Sequence, residues 1–220
     1  MKKTLTILVC ASFALAIVAT AASAFPELAR SNKLACASCH VKASGGPDLS
    51  DAGKAFKAER KVPAAVAGAD YVGSAKCKMC HAKVHTPWAA TPHAKALEAL
   101  ANADPKVAAD IAAKLKVEIK GAANATDACL VCHVTGMTLP GGWPQADAAK
   151  AANVAGVGCE SCHGPGSKHV TAAKEERKNT INNAVSEAMC KQCHTPEMSP
   201  KFDFATYKAK VHPIAAAAPK

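Results

Sequence analysis

Apolar residues change their spacing several times along this chain, and each change predicts an element. A continuous apolar run from about Leu5 to Ala19 follows Lys2 and Lys3 and ends at Ala22-Ser23-Ala24, just ahead of Phe25. A charged start, a short apolar middle and a small-residue cleavage site make a secretory signal over residues 1-24, so the mature chain is expected to start near Phe25. The run is too short for a retained spanning helix, and nothing further on is apolar for long enough to cross a bilayer. Beyond it the pattern is one of short amphipathic segments. Helices are expected from about Leu49 to Arg60, with Ala55 and Phe56 facing inward, and from Pro92 to about Ala101, capped by Thr91. Another should run from Asp104-Pro105 to about Leu115, with Val107, Ile111 and Leu115 on one face. Lys174 to Met189 reads as largely helical, and a short helix is expected from about Phe204 to Lys210. Gly121 to Asp127 and Leu139 to Gly158 read as loops, and the Pro- and Ala-rich stretch from Val62 to Asp70 as a linker. The chain therefore divides into the signal, a small module at 25-70 and a larger unit at 71-220.

Composition shows what these segments lack. Aromatic residues are 4% of the chain, and alanine is abundant. Side chains alone would build a thin core, so something else must fill it. The fold class expected is mainly α with extensive loops and little or no β-sheet.

The filler is indicated by the cysteines. Ten of the 11 fall in pairs, and Cys10 is lost with the signal. The pairs are Cys36/Cys39, Cys77/Cys80, Cys129/Cys132, Cys159/Cys162 and Cys190/Cys193, each followed at once by a histidine: His40, His81, His133, His163 and His194. On one helical turn this spacing aims both thiols one way with the imidazole beside them. That is the attachment signature of c-type haem, with two thioether bonds to the porphyrin edge and the His as axial ligand. Structural zinc would need four ligands per metal and gives no reason for a His after every pair. Disulfides and redox dithiols leave that His unexplained too. Five covalent haems supply the missing core, in a multihaem cytochrome c wrapped around its cofactors.

Four histidines remain, His85, His93, His169 and His212, for five irons. One iron is then open or ligated by something else. His169 lies beyond the Gly164-Pro165-Gly166 breaker, poorly placed for its own haem, and reads as a distal ligand given to another. On a continuing helix His85 sits on the same side of the haem plane as His81, so it is assigned to the haem of His40. Met137 and Met198 stand at the same offset from His133 and His194 and read as apolar packing.

A resemblance now becomes specific. Cys77-Lys-Met-Cys80-His81 with Trp88 and Pro92-His93-Ala94-Lys95-Ala96-Leu97-Glu98, then Cys132-His133-Val134-Thr135-Gly136, Gly156-Val-Gly-Cys-Glu-Ser-Cys-His-Gly-Pro-Gly166 and Lys201-Phe-Asp-Phe204 resemble the tetrahaem cytochrome c-554 family, in its order. The resemblance implies His169 on the haem of His81, His93 on the haem of His163, His212 on the haem of His194, and a five-coordinate haem at His133. The haem site at His40, the histidine at position 85 and shortened insertions before His212 depart from the family pattern.

The net charge of +10 would ordinarily suggest nucleic acid. Each ferric haem with two propionates contributes roughly one negative charge, so the basic residues read instead as propionate counterions and a field for redox partner proteins. The expected function is an exported, periplasmic or secreted carrier that moves single electrons along five haems. Bis-imidazole ligation should keep their potentials below those of Met/His haems. Two alternatives are a small nitrogen-oxide reductase acting at the haem of His133 and a subunit of a conductive filament, the latter by head-to-tail contacts between copies.

Overall fold

The computed structural model describes residues 32, 34, 36-42, 45-59 and 69-211. The expected signal, most of the linker and His212 lie outside the described residues. In chain order come α1 (Asp51–Glu59), α2 (Ser74–Ala89), α3 (Ala96–Ala101), α4 (Pro105–Leu115), α5 (Asp127–His133), α6 (Ala148–Val154), α7 (Cys159–His163), α8 (Ser167–Thr171), α9 (Glu187–Cys190) and α10 (Phe204–Val211). Short 3-10 turns occupy Cys36–Ser38, Ala123–Ala125 and Arg177–Asn179. No strand occurs among the described residues, which pair only in isolated bridges, His40 with Leu49 and Val134 with Ala155. The helical class expected from sequence is what the chain adopts.

The side-chain core is thin, as composition implied. Leu130, Val134 and Met137 form its buried centre, with Leu97, Leu100, Val131 and Trp143 packed on it. Met137 is therefore a packing residue, 7% exposed.

Several helices differ from expectation for local reasons. In α1 it is Gly53 that is buried, its Cα close against the Cys39 carbonyl, where an added Cβ would lie 1.9 Å away. Ala55 is exposed and Phe56 half-buried. The helix after α2 begins at Ala96, not Pro92. Thr91 closes α2 instead: its N–H and hydroxyl both donate to the Trp88 carbonyl, and its Oγ1 accepts from Ala94 N at 3.4 Å. α4 starts as expected, with Asp104 accepting from Lys106 N and Val107 N. Its Val107, Ile111 and Leu115 stripe is nevertheless 37 to 52% exposed, and Ala112 is the residue buried. The 139-158 stretch contains α6, nucleated by Asp147, which accepts from Lys150 N. Residues 174-189 hold little helix. Their backbone is spent on partners elsewhere: Arg177 O takes His169 Nδ1 and Thr180 Oγ1, and Asn182 pairs with His163.

Candidate haem sites

Each described Cys-x-x-Cys-His lies on a helical or 3-10 turn, which sets the two thiols and the imidazole on one side. The α2 turn starts at Gly73, in a left-handed conformation at φ 82°, where a Cβ would come within 2.6 Å of Asn153. The α7 turn starts at Gly158, which leaves no room for a side chain between the Ser74 and Thr135 hydroxyls. Thr135, 1% exposed, holds this corner: its Oγ1 donates to Gly156 O at 2.9 Å and accepts from Gly158 N at 2.8 Å.

Glu160, the first x of its motif, is the largest fully buried side chain among the described residues, at 2% exposure. Its carboxylate accepts from Val72 N (2.9 Å), Gly73 N (2.8 Å) and Gly166 N (2.7 Å), tying α7 to the start of α2 and to the breaker before α8. Burial pushes this carboxyl above its usual range, against the pull of the three N–H groups.

The tethers adjoin one another. The Cys77 thiol is in hydrogen-bond contact with Cys159, which raises Cys77 and, with the Ser74 hydroxyl, brings Cys159 down to about 7 before attachment. Burial raises Cys162 to about 11, and the neighbouring Cys190 adds to it. Cys36 is near enough to add to the burial that raises the Tyr71 phenol. Tyr71 in turn packs its ring on Gly136, whose φ is 64°. An apolar cleft lies between the α2 and α7 sites, lined by Cys77, His81, His85, Trp88, His93, Cys159, His163 and Val211.

The imidazoles fall into a pattern suited to metal. His133 Nδ1 bonds Ala96 O (2.8 Å), His163 Nδ1 bonds Asn182 O (2.5 Å), His169 Nδ1 bonds Arg177 O (2.9 Å) and His194 Nδ1 bonds Ser199 Oγ (2.9 Å). Where Nδ1 faces a carbonyl, as in His133, His163 and His169, it must donate, and the ring presents its Nε2 lone pair, the arrangement found behind metal-ligating histidines. The rings of His81 and His169 lie near parallel, 24° apart, with centroids 6.1 Å apart, and those of His93 and His194 lie 5.9 Å apart. Two imidazoles on one metal, each bonded at about 2.0–2.1 Å, place their centroids roughly 6 Å apart. The donor set and these separations fit haem iron. Cys36, Cys39, Cys77, Cys80, Cys129, Cys132, Cys159, Cys162, Cys190 and Cys193 would tether five such groups.

The first pair is the one the resemblance implied. The second differs from the implied pair, His93 with His163, two residues that line the same cleft. The ring neighbour of His93 is His194, because residues 91-95 form turns rather than the first turn of a helix. The His93 carbonyl is held there by Ala96 N and Val157 N, with Gly156 (φ 85°) packed on Ala94. The offset argument for His85 also changes. At His81 the backbone leaves helical geometry (φ −113°, ψ 36°), so His85 does not follow it on a straight helix. His85 lies edge-on to Trp88 at 5.1 Å, in the cleft and in a groove with Ser74, Lys78 and Asn153.

Sequence reading missed Glu160, Thr135 and Asn182, three buried polar residues that orient the turns. Their signal was the Gly-rich setting of 156-166, where polar side chains must serve backbone N–H groups that no helix satisfies.

Paired thiols beside Nε2-presenting imidazoles define a c-type haem protein. Residues 76–164 match the family described as cytochrome c554 and c-prime. Cytochrome c-554 of Nitrosomonas europaea is 38% identical over 100 residues, covering 46% of this chain and 40% of that protein. The solved reduced state of cytochrome c554 from Nitrosomonas europaea is 28% identical, covers 66% of this chain and 85% of its own, and superposes with a TM-score of 0.47. Over residues 76–164 the chain is similar to the cytochrome c554 family, and that similarity supports covalently bound haem c with its iron as the cofactor. Among the described residues no helix is long and apolar enough to cross a membrane.

Proposed function

We infer that this protein is an exported electron carrier that binds five covalent c-type haems and passes single electrons along them between redox partner proteins. The observation that carries the reading is the pairing of His81 with His169 and of His93 with His194 at the separation a shared metal requires. Iron between two neutral imidazoles has no open position for substrate and changes oxidation state with little rearrangement. The adjoining tethers, Cys77 with Cys159 and Cys162 with Cys190, favour three haems in succession.

The remaining ligands are assigned by the same logic. Val211 lines the same cleft as His163, so the next residue, His212, serves the haem of His163 in place of the haem of His194. His85 serves the haem of His40, consistent with Cys36 lying near Tyr71, just ahead of α2. The haem of His133 keeps one open position.

Redox titration followed by electron paramagnetic resonance tests the reading. The oxidised protein should show four low-spin bis-imidazole irons, each reduced by one electron. A majority of high-spin irons would reject it in favour of the reductase alternative.

A further inference from the structure

The haem attachment turns differ in how they meet solvent. In the α2 turn the two residues between the cysteines, Lys78 and Met79, are exposed. Lys76 and Lys83 on either side of that turn are exposed as well. Met79 in its middle is 77% exposed, the largest value among the exposed large hydrophobic side chains. Lys76, Met79 and Cys80 stand at i, i+3 and i+4 on the first part of α2 and so share one face. Lys78 is exposed beside them, and Lys83 follows just past the break at His81.

This face carries one sign of charge. From Val72 to Leu97 the chain has Lys76, Lys78, Lys83 and Lys95 and no aspartate or glutamate. The ion pairs among the described residues use Lys54, Lys106 and Lys191, none of these four. Glu160, which bonds the backbone just ahead of α2, is buried and occupied by backbone N–H groups. An exposed apolar residue ringed by unpaired lysines gives a partner a patch to desolvate and a field that steers an acidic surface onto it.

We propose that the outer face of α2, with Lys76, Lys78 and Lys83 around Met79, is the docking surface for an acidic redox protein that exchanges electrons at the haem tethered by Cys77 and Cys80. This rests on the electron-carrier reading. The site is suited to entry or exit because the Cys77 tether touches Cys159, so an electron arriving there is next to the α7 haem site.

The test uses the fully haem-loaded protein and a flavodoxin as the acidic partner. One electron leaves the anionic flavin hydroquinone, which becomes the neutral semiquinone, and one ferric iron becomes ferrous. Stopped-flow rates at low ionic strength are compared for the wild type, the triple variant K76E/K78E/K83E, and a control triple K114E/K120E/K174E with the same change in net charge. The expected result is a roughly tenfold loss of rate and a flattened salt dependence in the first variant, with much smaller changes in the control. Equal losses in both variants, or none in the first, would overturn the docking surface. Reduction by an uncharged photogenerated flavin radical should be the same in all three proteins. A change there confined to the α2 variant would mean that these lysines serve haem propionates, which also overturns the proposal. Failure of the wild type to accept electrons from either donor would instead reject the electron-carrier reading itself.

Discussion

Replacing Glu160 tests how the haem turns are held in place. The carboxylate is 2% exposed and accepts from three backbone N–H groups on two separate segments, Val72 and Gly73 ahead of α2 and Gly166 ahead of α8. Glu160→Ala leaves those donors buried without an acceptor, at about 1–3 kcal/mol each before water relaxes the site. A net loss of about 3 kcal/mol is expected. At a guanidinium slope of about 4 kcal/mol/M, that moves the unfolding midpoint down by roughly 0.7 M. Glu160→Gln keeps one acceptor oxygen but turns an NH2 toward an N–H, so about 2 kcal/mol should be lost. The assay is equilibrium unfolding of the haem-loaded protein, read by far-UV circular dichroism. The sign with pH follows from the raised carboxyl of Glu160. Its contribution is fully present below the ordinary carboxylate range and is lost as pH rises through the raised value, so the difference between wild type and Glu160→Gln should shrink over that interval. A midpoint shift in Glu160→Ala below about 0.2 M would refute the reasoning, since it would mean the three donors find water at little cost.

Other outcomes concern the irons. His169→Ala should convert one low-spin iron to high spin, at the haem of His81, and an unchanged low-spin count by electron paramagnetic resonance would contradict that pair. His93→Ala should do the same at the haem of His194. In a variant lacking Cys190 and Cys193 it should remove no further low-spin iron, whereas an additional loss would return His93 to the haem of His163. His85→Ala should cost one low-spin iron, and the loss should vanish when Cys36 and Cys39 are also replaced; persistence of the loss would give His85 to another haem. The dilute ferrous protein should take up one equivalent of carbon monoxide, at His133, because a vacant position binds diatomics where a held imidazole resists displacement. Uptake of none or of two, measured by optical titration, would defeat the ligand scheme.

The attachment signatures are legible because a covalent requirement writes itself into five consecutive residues. The helical class followed from the scarcity of core-forming side chains and from capping residues such as Asp104. Distal pairing was far less legible. His93 meets His194 across a hundred residues of chain, and its direction depends on a turn at 91-95 that reads as the start of a helix. The break at His81 is similarly invisible in a sequence that continues with helix formers on both sides. The stripe of Val107, Ile111 and Leu115 has the period of a buried face, yet burial falls on Ala112. Glu160 looked like a spacer between two cysteines, and only the fold brings Val72, Gly73 and Gly166 to its carboxylate.

The most direct test of the account is the intact mass of the protein recovered after export from cells that mature c-type cytochromes. The account predicts a single species equal to a chain starting near Phe25 plus five haems, with every one of the ten paired cysteines blocked to thiol reagents. A mass corresponding to four or fewer haems, or reactive thiols at Cys36 and Cys39, would contradict it.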